Sequence, residues 1–316
     1  GPHLGFEPSG SRDVKAISGS KGLRYENANI YKASKNRKSN LQFDLSGSYT
    51  GSHAGVTVEF WLKKNAFNTA LTKRETIFDL WNQEDHDNPS YGRLTIEMSG
   101  TGHAGHASRL VGGNDGCFYV TVQSGANATN QTAEGVFNAQ IGKGGLAFTS
   151  SVGSNSWNHY AFTFNSSSLP GDSYRPSTVT SGSTEVKLYI NGELNDHKYV
   201  GSSVKEVTGS LMATLGALQT SPSGSLYNDH ASEMKGYGKL LSSSLDEFRY
   251  WKTRRTAEDI GRYYRSHVGG GTNTDDANVN LGVYYKFNEG ITSTSSIDSS
   301  VLDYSGRVSN GTWTGY

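Results

Sequence analysis

From position 41 onward the chain alternates apolar and polar residues in short runs, the period that a half-buried β-strand imposes. The cleanest run is Val56-Thr57-Val58-Glu59-Phe60-Trp61-Leu62. Val56, Val58, Phe60 and Leu62 fall on one face and Thr57, Glu59 and Trp61 on the other. The first set is therefore expected in a core, and Glu59 is expected to be solvated or paired on the outer face. Further strands are predicted at Leu41–Leu45, Thr76–Leu80, Leu94–Met98, Cys117–Val122, His159–Phe164, Glu185–Ile190 and Leu245–Trp251. Turn-forming residues separate nearly all of these runs. Asn191-Gly192, directly after Val186–Ile190, is the strongest hairpin signal, because a two-residue hairpin turn needs positive φ at both central positions.

One helix is predicted. Thr256-Ala257-Glu258-Asp259 places a hydroxyl cap three residues before an acid, the pattern of a capping box. Ile260, Tyr263, Tyr264 and His267 then share a face, and Gly269-Gly270-Gly271 ends the segment. Ile260 and Tyr263 are expected to be buried where this helix docks. Many short strands with a single short C-terminal helix make an all-β sandwich. Residues 1–22 are polar and Gly/Ser-rich and read as a flexible arm. Residues 82–92, 99–116, 123–156 and 166–183 read as long loops, and a sandwich carries its specific chemistry in such loops.

Composition narrows the function classes. The 316 residues hold 29 Lys plus Arg against 29 Asp plus Glu, so no net field favours nucleic acid or an acidic membrane as partner. The 39 glycines suit a sheet protein with many turns. Cys117 is the single cysteine; it leaves no internal disulfide and no Cys-based zinc site, and its alternating run predicts a core position. No run of 18 apolar residues is present, so no membrane-spanning helix and no membrane insertion are expected.

Four segments, in order, carry a family resemblance. Gly55–Lys63 resembles the strand that laminin G-like modules write as FTVEFWVK. Ser156–Phe164 (SWNHYAFTF) is similar to their W-x-H-[VY]-A strand, and Val186–Gly192 (VKLYING) to their LYVDG hairpin. Ser244–Trp251 (SLDEFRYW), followed by Arg255–Ile260 (RTAEDI), resembles their closing strand and helix. Together they span roughly residues 41–265. The resemblance implies a concanavalin A-like jelly-roll β-sandwich of the laminin G-like type over residues 23–271. Gly282–Gly290 (GVYYKFNEG), Leu302–Gly306 (LDYSG) and Asn310–Thr312 (NGT) look like the family's opening motif, out of place after the closing helix. Residues 272–316 thus read as an extension that either packs on the sandwich or begins a second module. The same tail is similar to structural proteins of tailed phages of marine bacteria, which implies a virion-surface or tail location and other virion proteins as partners.

The candidate sites follow from both readings. The superfamily's glucan hydrolases carry acids alternating on one strand, so that two can flank a glycosidic bond. Glu75 and Asp79 are four apart, Glu84, Asp85 and Asp87 crowd one loop, and Asp246-Glu247 are adjacent and so point to opposite faces. None makes the pattern, and no nucleophile elbow, zincin motif or P-loop is present; the chain is not expected to be an enzyme. Loop 82–92 combines Trp81 and Tyr91 as aromatic platforms with Asn82, Asp85, Asp87 and Asn88 as hydrogen-bonding groups, a mixture that suits sugar rings and hydroxyls. The resemblance implies a structural calcium at Asp246, with carbonyls of Ser46 and Gly47 completing oxygen ligation; the alternative is that Asp246 caps a turn. His103 and His106 beside Arg109 lack a local carboxylate to complete a metal site. Trp157 is a core or rim residue. Asn127, Asn130, Asn165 and Asn310 sit in acceptor patterns for glycosylation that a Ser/Thr-rich chain produces by chance. The function these readings imply is a non-catalytic module that attaches a larger particle to a glycan or cell-surface polysaccharide. A purely structural decoration domain is the rival, and a glycan hydrolase comes third.

Overall fold

The computed structural model describes residues 3–6, 55–67, 74–82, 88–89, 91–100, 115–124, 134–166, 183–200, 207, 211–218, 238–268, 280–289, 300–305 and 310–314. In chain order the strands are β1 (His3–Phe6), β2 (Val56–Lys64), β3 (Glu75–Trp81), β4 (Gly92–Met98), β5 (Asp115–Ser124), β6 (Glu134–Lys143), β7 (Trp157–Ser166), β8 (Thr184–Ile190), β9 (Glu193–Val200), β10 (Met212–Leu215), β11 (Ser243–Trp251), β12 (Leu281–Tyr285), β13 (Ser300–Val301) and β14 (Gly311–Thr314). They form two antiparallel sheets, ordered β13-β14-β1-β10-β3-β4-β5-β6 and β12-β11-β2-β7-β8-β9. The described residues make an all-β sandwich of two antiparallel sheets with one short C-terminal helix, α1 (Ala257–Tyr263). A single helical turn also occurs at Thr149–Val152. Seven of the predicted strands lie within β2, β3, β4, β5, β7, β8 and β11; Leu41–Leu45 lies outside the described residues.

The sandwich interior is built from the alternate residues read as core. Val56, Val58, Phe60 and Leu62 of β2 join Phe78 and Leu80 of β3, Phe118 and Val120 of β5, and Phe162 and Phe164 of β7 in one buried cluster. Aromatic rings stitch the sheets together: Phe78 meets Phe248 at 5.5 Å between ring centroids, and Phe118 meets Tyr160 at 5.0 Å. Cys117 is a buried member of the same cluster.

Two segments differ from their sequence reading. His3–Phe6, read as part of an arm, lies between β10 and β14, held by backbone pairing that a four-residue run with Gly5 in it does not advertise. The predicted loop 123–156 contains β6, an edge strand whose sequence, EGVFNAQIGK, carries too little alternation to register. Within the 272–316 extension, β12 pairs with β11, and Val283 and Tyr285 enter the main core cluster. These strand residues are thus part of the sandwich.

The facing edges of the two sheets are fastened by side chains of β9. The Asp196 carboxylate accepts the Gly142 amide at 2.8 Å, Asn195 exchanges two bonds with the backbone of Lys143, and Lys198 donates to the Gln140 carbonyl at 2.7 Å. At the opposite margin, Asp303 accepts the Tyr284 amide and Tyr304 N–H donates to the Tyr284 carbonyl.

The hairpin between β8 and β9 turns at Asn191 (φ 52°) and Gly192 (φ 85°), both left-handed as the dipeptide predicts. Gly192 serves twice, since a Cβ there would lie 2.7 Å from the Tyr264 ring. Helix α1 begins with the capping box: Asp259 N–H donates to Thr256 Oγ1 at 3.1 Å, and Thr256 N–H donates to Asp259 Oδ2 at 3.4 Å. Its Ile260 is fully buried against Ala161 and Tyr189 on the outer face of the six-stranded sheet. Tyr263 is half-buried. The helix ends at Tyr263, earlier than the glycine triplet suggests, because Arg249 donates to the carbonyls of Tyr263 and Ser266 and satisfies that terminus.

Of the two fates expected for Glu59, pairing on the outer face is the one observed: under the helix cover it is fully buried. Arg255 reaches back over it with Nη1 2.9 Å from Oε1, while Arg249 stands at 3.7 Å and His159 at 3.9 Å. Burial pushes the Glu59 carboxyl up, but the guanidiniums of Arg255 and Arg249 outweigh it and hold it below the usual carboxylate range.

Candidate functional site

Strands β3, β4 and β5 turn one set of side chains into the core and the other set onto the outer face of the eight-stranded sheet. That outer set is polar. Trp81 stands opposite Arg93, Asp79 opposite Thr95, and Thr76 opposite Glu97; across β5, Arg93 faces Gln123, Thr95 faces Thr121 and Glu97 faces Tyr119. Of these residues only Trp81 is partly exposed; the others are buried, so their polar groups are held within covered structure.

Arg93 anchors the face. Its Nε and Nη2 donate to Oδ1 and Oδ2 of Asp79, each at 2.8 Å, in a two-pronged pair that locks both side chains. Burial alone would lower the guanidinium's pKa, but Asp79 raises it above its ordinary value. Further along, Arg74 lies over the Tyr119 ring at 3.9 Å and contacts Glu97 at 3.4 Å. Burial raises the Glu97 carboxyl above its usual range, and Arg74 offsets this only in part. Glu97 Oε1, Thr95 Oγ1 and Thr76 Oγ1 are buried without hydrogen-bond partners. Such groups lose free energy unless something supplies the missing bonds.

The described residues of the predicted ligand loop, Trp81, Asn82, Asn88 and Tyr91, lie at the β3–β4 connection, at one end of this face. Trp81 closes β3 and is partly exposed on the outer side. Asn82 is buried; its Oδ1 accepts the Gly92 amide at 3.0 Å, so it fastens the β3–β4 connection. The Asn88 carbonyl accepts the Tyr91 amide at 2.9 Å, and Tyr91 is buried at 4% exposure. Asp85, Asp87, Glu84, Ser46, Gly47, His103, His106 and Arg109 lie outside the described residues, as do Asn127 and Asn130. Asn165 is buried and donates to the Ser166 carbonyl, whereas Asn310 is exposed and accepts the Asp303 amide. Trp157 is 43% exposed, a rim position.

Among the described acids none assembles a hydrolase pair. A register break between Thr76 and Phe78 leaves Glu75 beside Lys64 of the opposite sheet at 2.9 Å, while Asp79 stays on the outer face with both oxygens held by Arg93. At Asp246-Glu247 the strand also breaks register, and Glu247 takes a left-handed φ of 51°. The adjacent pair therefore does not obey simple alternation: the Glu247 carboxylate meets Arg249, His267 and Tyr284. Asp246 Oδ1 accepts the Glu247 amide at 2.9 Å, the turn-capping geometry, and burial raises its carboxyl above the usual range. Among the described residues no group of three or more His, Cys, Asp or Glu gathers as a metal site.

The pairing Asp79–Arg93 escaped the sequence reading, which tracked acids along single strands. The available signal was that both residues occupy the non-core phase of two successive strands.

No protein-family model matches the chain. No curated protein matches it by sequence. Among solved structures it is similar to a heptameric SAP-like pentraxin from Limulus polyphemus, with 10% identity and a TM-score of 0.36 over 82% of this chain and 74% of that one. It is also similar to the receptor-binding domain of a botulinum neurotoxin of mosaic serotype C/D, with 15% identity and a TM-score of 0.37 over 68% of this chain and 37% of that one. A Bacteroides ovatus protein whose name proposes carbohydrate binding gives 17% identity and a TM-score of 0.33 over 83% and 59%. Likenesses this loose carry no argument about ligand or partner, and the functional reading stands on the chain's own residues.

Proposed function

We propose that the chain is a non-catalytic carbohydrate-binding module whose sugar site lies on the outer face of β3–β5 at the Trp81 end. The observation that carries this reading is Trp81, the partly exposed end of the row Trp81–Arg93–Gln123, whose neighbour Arg93 is buried and already clamped by Asp79. A sugar needs an apolar ring face to stack on and fixed hydrogen-bonding groups for its hydroxyls, and prior fixing lowers the entropy lost on binding. Hydrolysis is disfavoured because Asp79 would have to leave Arg93 before acting as base or nucleophile. The test is a neutral-glycan array with the whole chain and a Trp81→Ala variant. Saturable binding by the parent, lost in the variant at unchanged unfolding temperature, is expected. A parent that binds no glycan would favour the decoration role instead.

The same proposal includes calcium at Asp246, with Oδ2 as the acidic oxygen and the carbonyls of Ser46 and Gly47 as further ligands. An ion bound only by the folded state stabilises it by mass action, about 3 kcal/mol when present at a hundred times its Kd. Chelation is therefore expected to lower the unfolding temperature, and Asp246→Asn to abolish that response. An unfolding temperature indifferent to chelator would remove calcium from the reading. Placement at a virion surface or tail rests on the resemblance of residues 268–316 alone, and tail or baseplate genes beside this one would support it.

A further inference from the structure

Away from the β3–β5 face, the geometry points to a second ligand site, for an anionic sugar, at the β11–β12 margin of the six-stranded sheet, built on Tyr304, Lys286 and Asn288. The Tyr304 ring is 41% exposed and stands edge-on to the buried Tyr284 ring at 6.4 Å. Lys286 holds its ammonium 4.7 Å from the Tyr304 ring centroid and 5.4 Å from that of Tyr284. Among the described residues this ammonium enters no ion pair. Tyr304 Oη donates to Asn288 Oδ1 at 3.4 Å, which orients the amide and leaves Nδ2 as a donor.

Glu247, Asp303 and Glu289 are hydrogen-bonded to other groups, and among the described residues none pairs with Lys286. Glu247 accepts from Tyr284 Oη, from Arg249 at 2.8 Å and from His267 at 3.0 Å. Asp303 accepts the amides of Tyr284 and Ser305 and the Ser305 hydroxyl. Glu289 accepts the Leu302 amide at 3.0 Å. The surface thus carries a cation held against aromatic rings, an amide oriented by Tyr304, and a Tyr304 ring that is partly exposed. A cation so placed is partly desolvated and attracts an anion more strongly than a freely moving surface lysine would. Two non-glycine residues with left-handed backbone, Glu247 at φ 51° and Phe287 at φ 52°, flank the patch. Strained backbone persists where surrounding structure enforces it, and such positions concentrate at ligand sites. A pyranose carrying a carboxylate or sulfate fits this arrangement: its ring stacks on Tyr304, its anion meets Lys286, and a hydroxyl accepts from Asn288.

The test is calorimetric titration of the whole chain with heparin, with polygalacturonate and with neutral dextran. Saturable binding is expected for at least one acidic polymer and not for dextran at this site; which polymer binds distinguishes sulfate from carboxylate recognition. Lys286→Gln and Tyr304→Ala are each expected to weaken that binding by about tenfold or more while the unfolding temperature stays unchanged. Trp81→Ala is expected to leave it intact, so failure of this site and failure of the β3–β5 reading are separable. Absence of binding to both acidic polymers, equal competition by dextran, or folded Lys286→Gln and Tyr304→Ala variants that bind like the parent would overturn the inference.

Discussion

Replacing Arg255 by alanine is expected to cost about 3–5 kcal/mol of folding stability, the range for removing one partner of a buried ion pair. Glu59 has no exposed surface, and Arg255 supplies its two shortest contacts, at 2.9 and 3.3 Å. In the variant Glu59 keeps only Arg249 at 3.7 Å and a histidine that burial keeps neutral. The guanidinium also lies over the Trp251 ring at 4.1 Å, so some of the loss is packing. A double variant, Glu59→Leu with Arg255→Met, separates the two contributions by denaturant unfolding. Removing both charges should recover most of the stability, because the cost arises from the stranded carboxylate. A double variant as unstable as the single one would show that shape, not charge, is what Arg255 contributes.

Acidification is expected to weaken the fold by about 3 kcal/mol between pH 6.5 and about pH 4 through His159 alone. Its ring is buried, neither nitrogen has a hydrogen-bond partner, and the nearest acid, Glu59, is 3.9 Å away. Burial lowers its pKa from 6.5 to about 4; Glu59 opposes this, while Arg249 and Arg255 add to it. The unfolded chain therefore takes up a proton in this window that the folded chain refuses, so stability is full above pH 6.5 and falls as the pH drops. Glu59, whose folded value is also depressed, adds to the loss only below its ordinary value of 4.5. Unfolding free energies measured across this range should slope downward for the parent and flatten for His159→Phe. A parent with no slope in that window would mean that His159 is protonated in the folded state.

The strands were legible where alternation and burial coincide, and the core side of β2 is the clearest case. Glu59 shows where that reading stops. Alternation says only that a side chain points away from the sandwich interior, and it is silent about a cover contributed by Arg255, 196 residues away. The Asn191-Gly192 turn and the Thr256 cap were legible because their signals are local and stereochemical. Strands β6 and β9 were not, because an edge strand draws its stability from backbone bonds that nearly any side chain allows; β1, paired on both sides, was not because its four residues include Gly5 and carry little pattern. The candidate site was legible only at its rim. Trp81 marked it from an aromatic next to polar residues, whereas Asp79 and Arg93 become partners only once β3 and β4 are in register. Asn82 and Tyr91, chosen for chemistry that sugars like, instead hold the connection between those strands.

The fastening of β6 by Asp196, Asn195 and Lys198 has a bearing on how this module can meet other molecules. Many domains capture an extended peptide by letting it join a sheet as one more strand, a mode that reads the backbone and accepts varied sequences. Here that route is barred along β6 at Gln140, Gly142 and Lys143, whose backbone groups already have partners. Neighbouring copies, however crowded, are likewise denied that stretch as a template for uncontrolled stacking. Along this stretch recognition is left to side chains, which can be exchanged without disturbing the ladder beneath them. A scaffold of this kind can change what it binds by substitution at a few outward positions while its interior stays as it is.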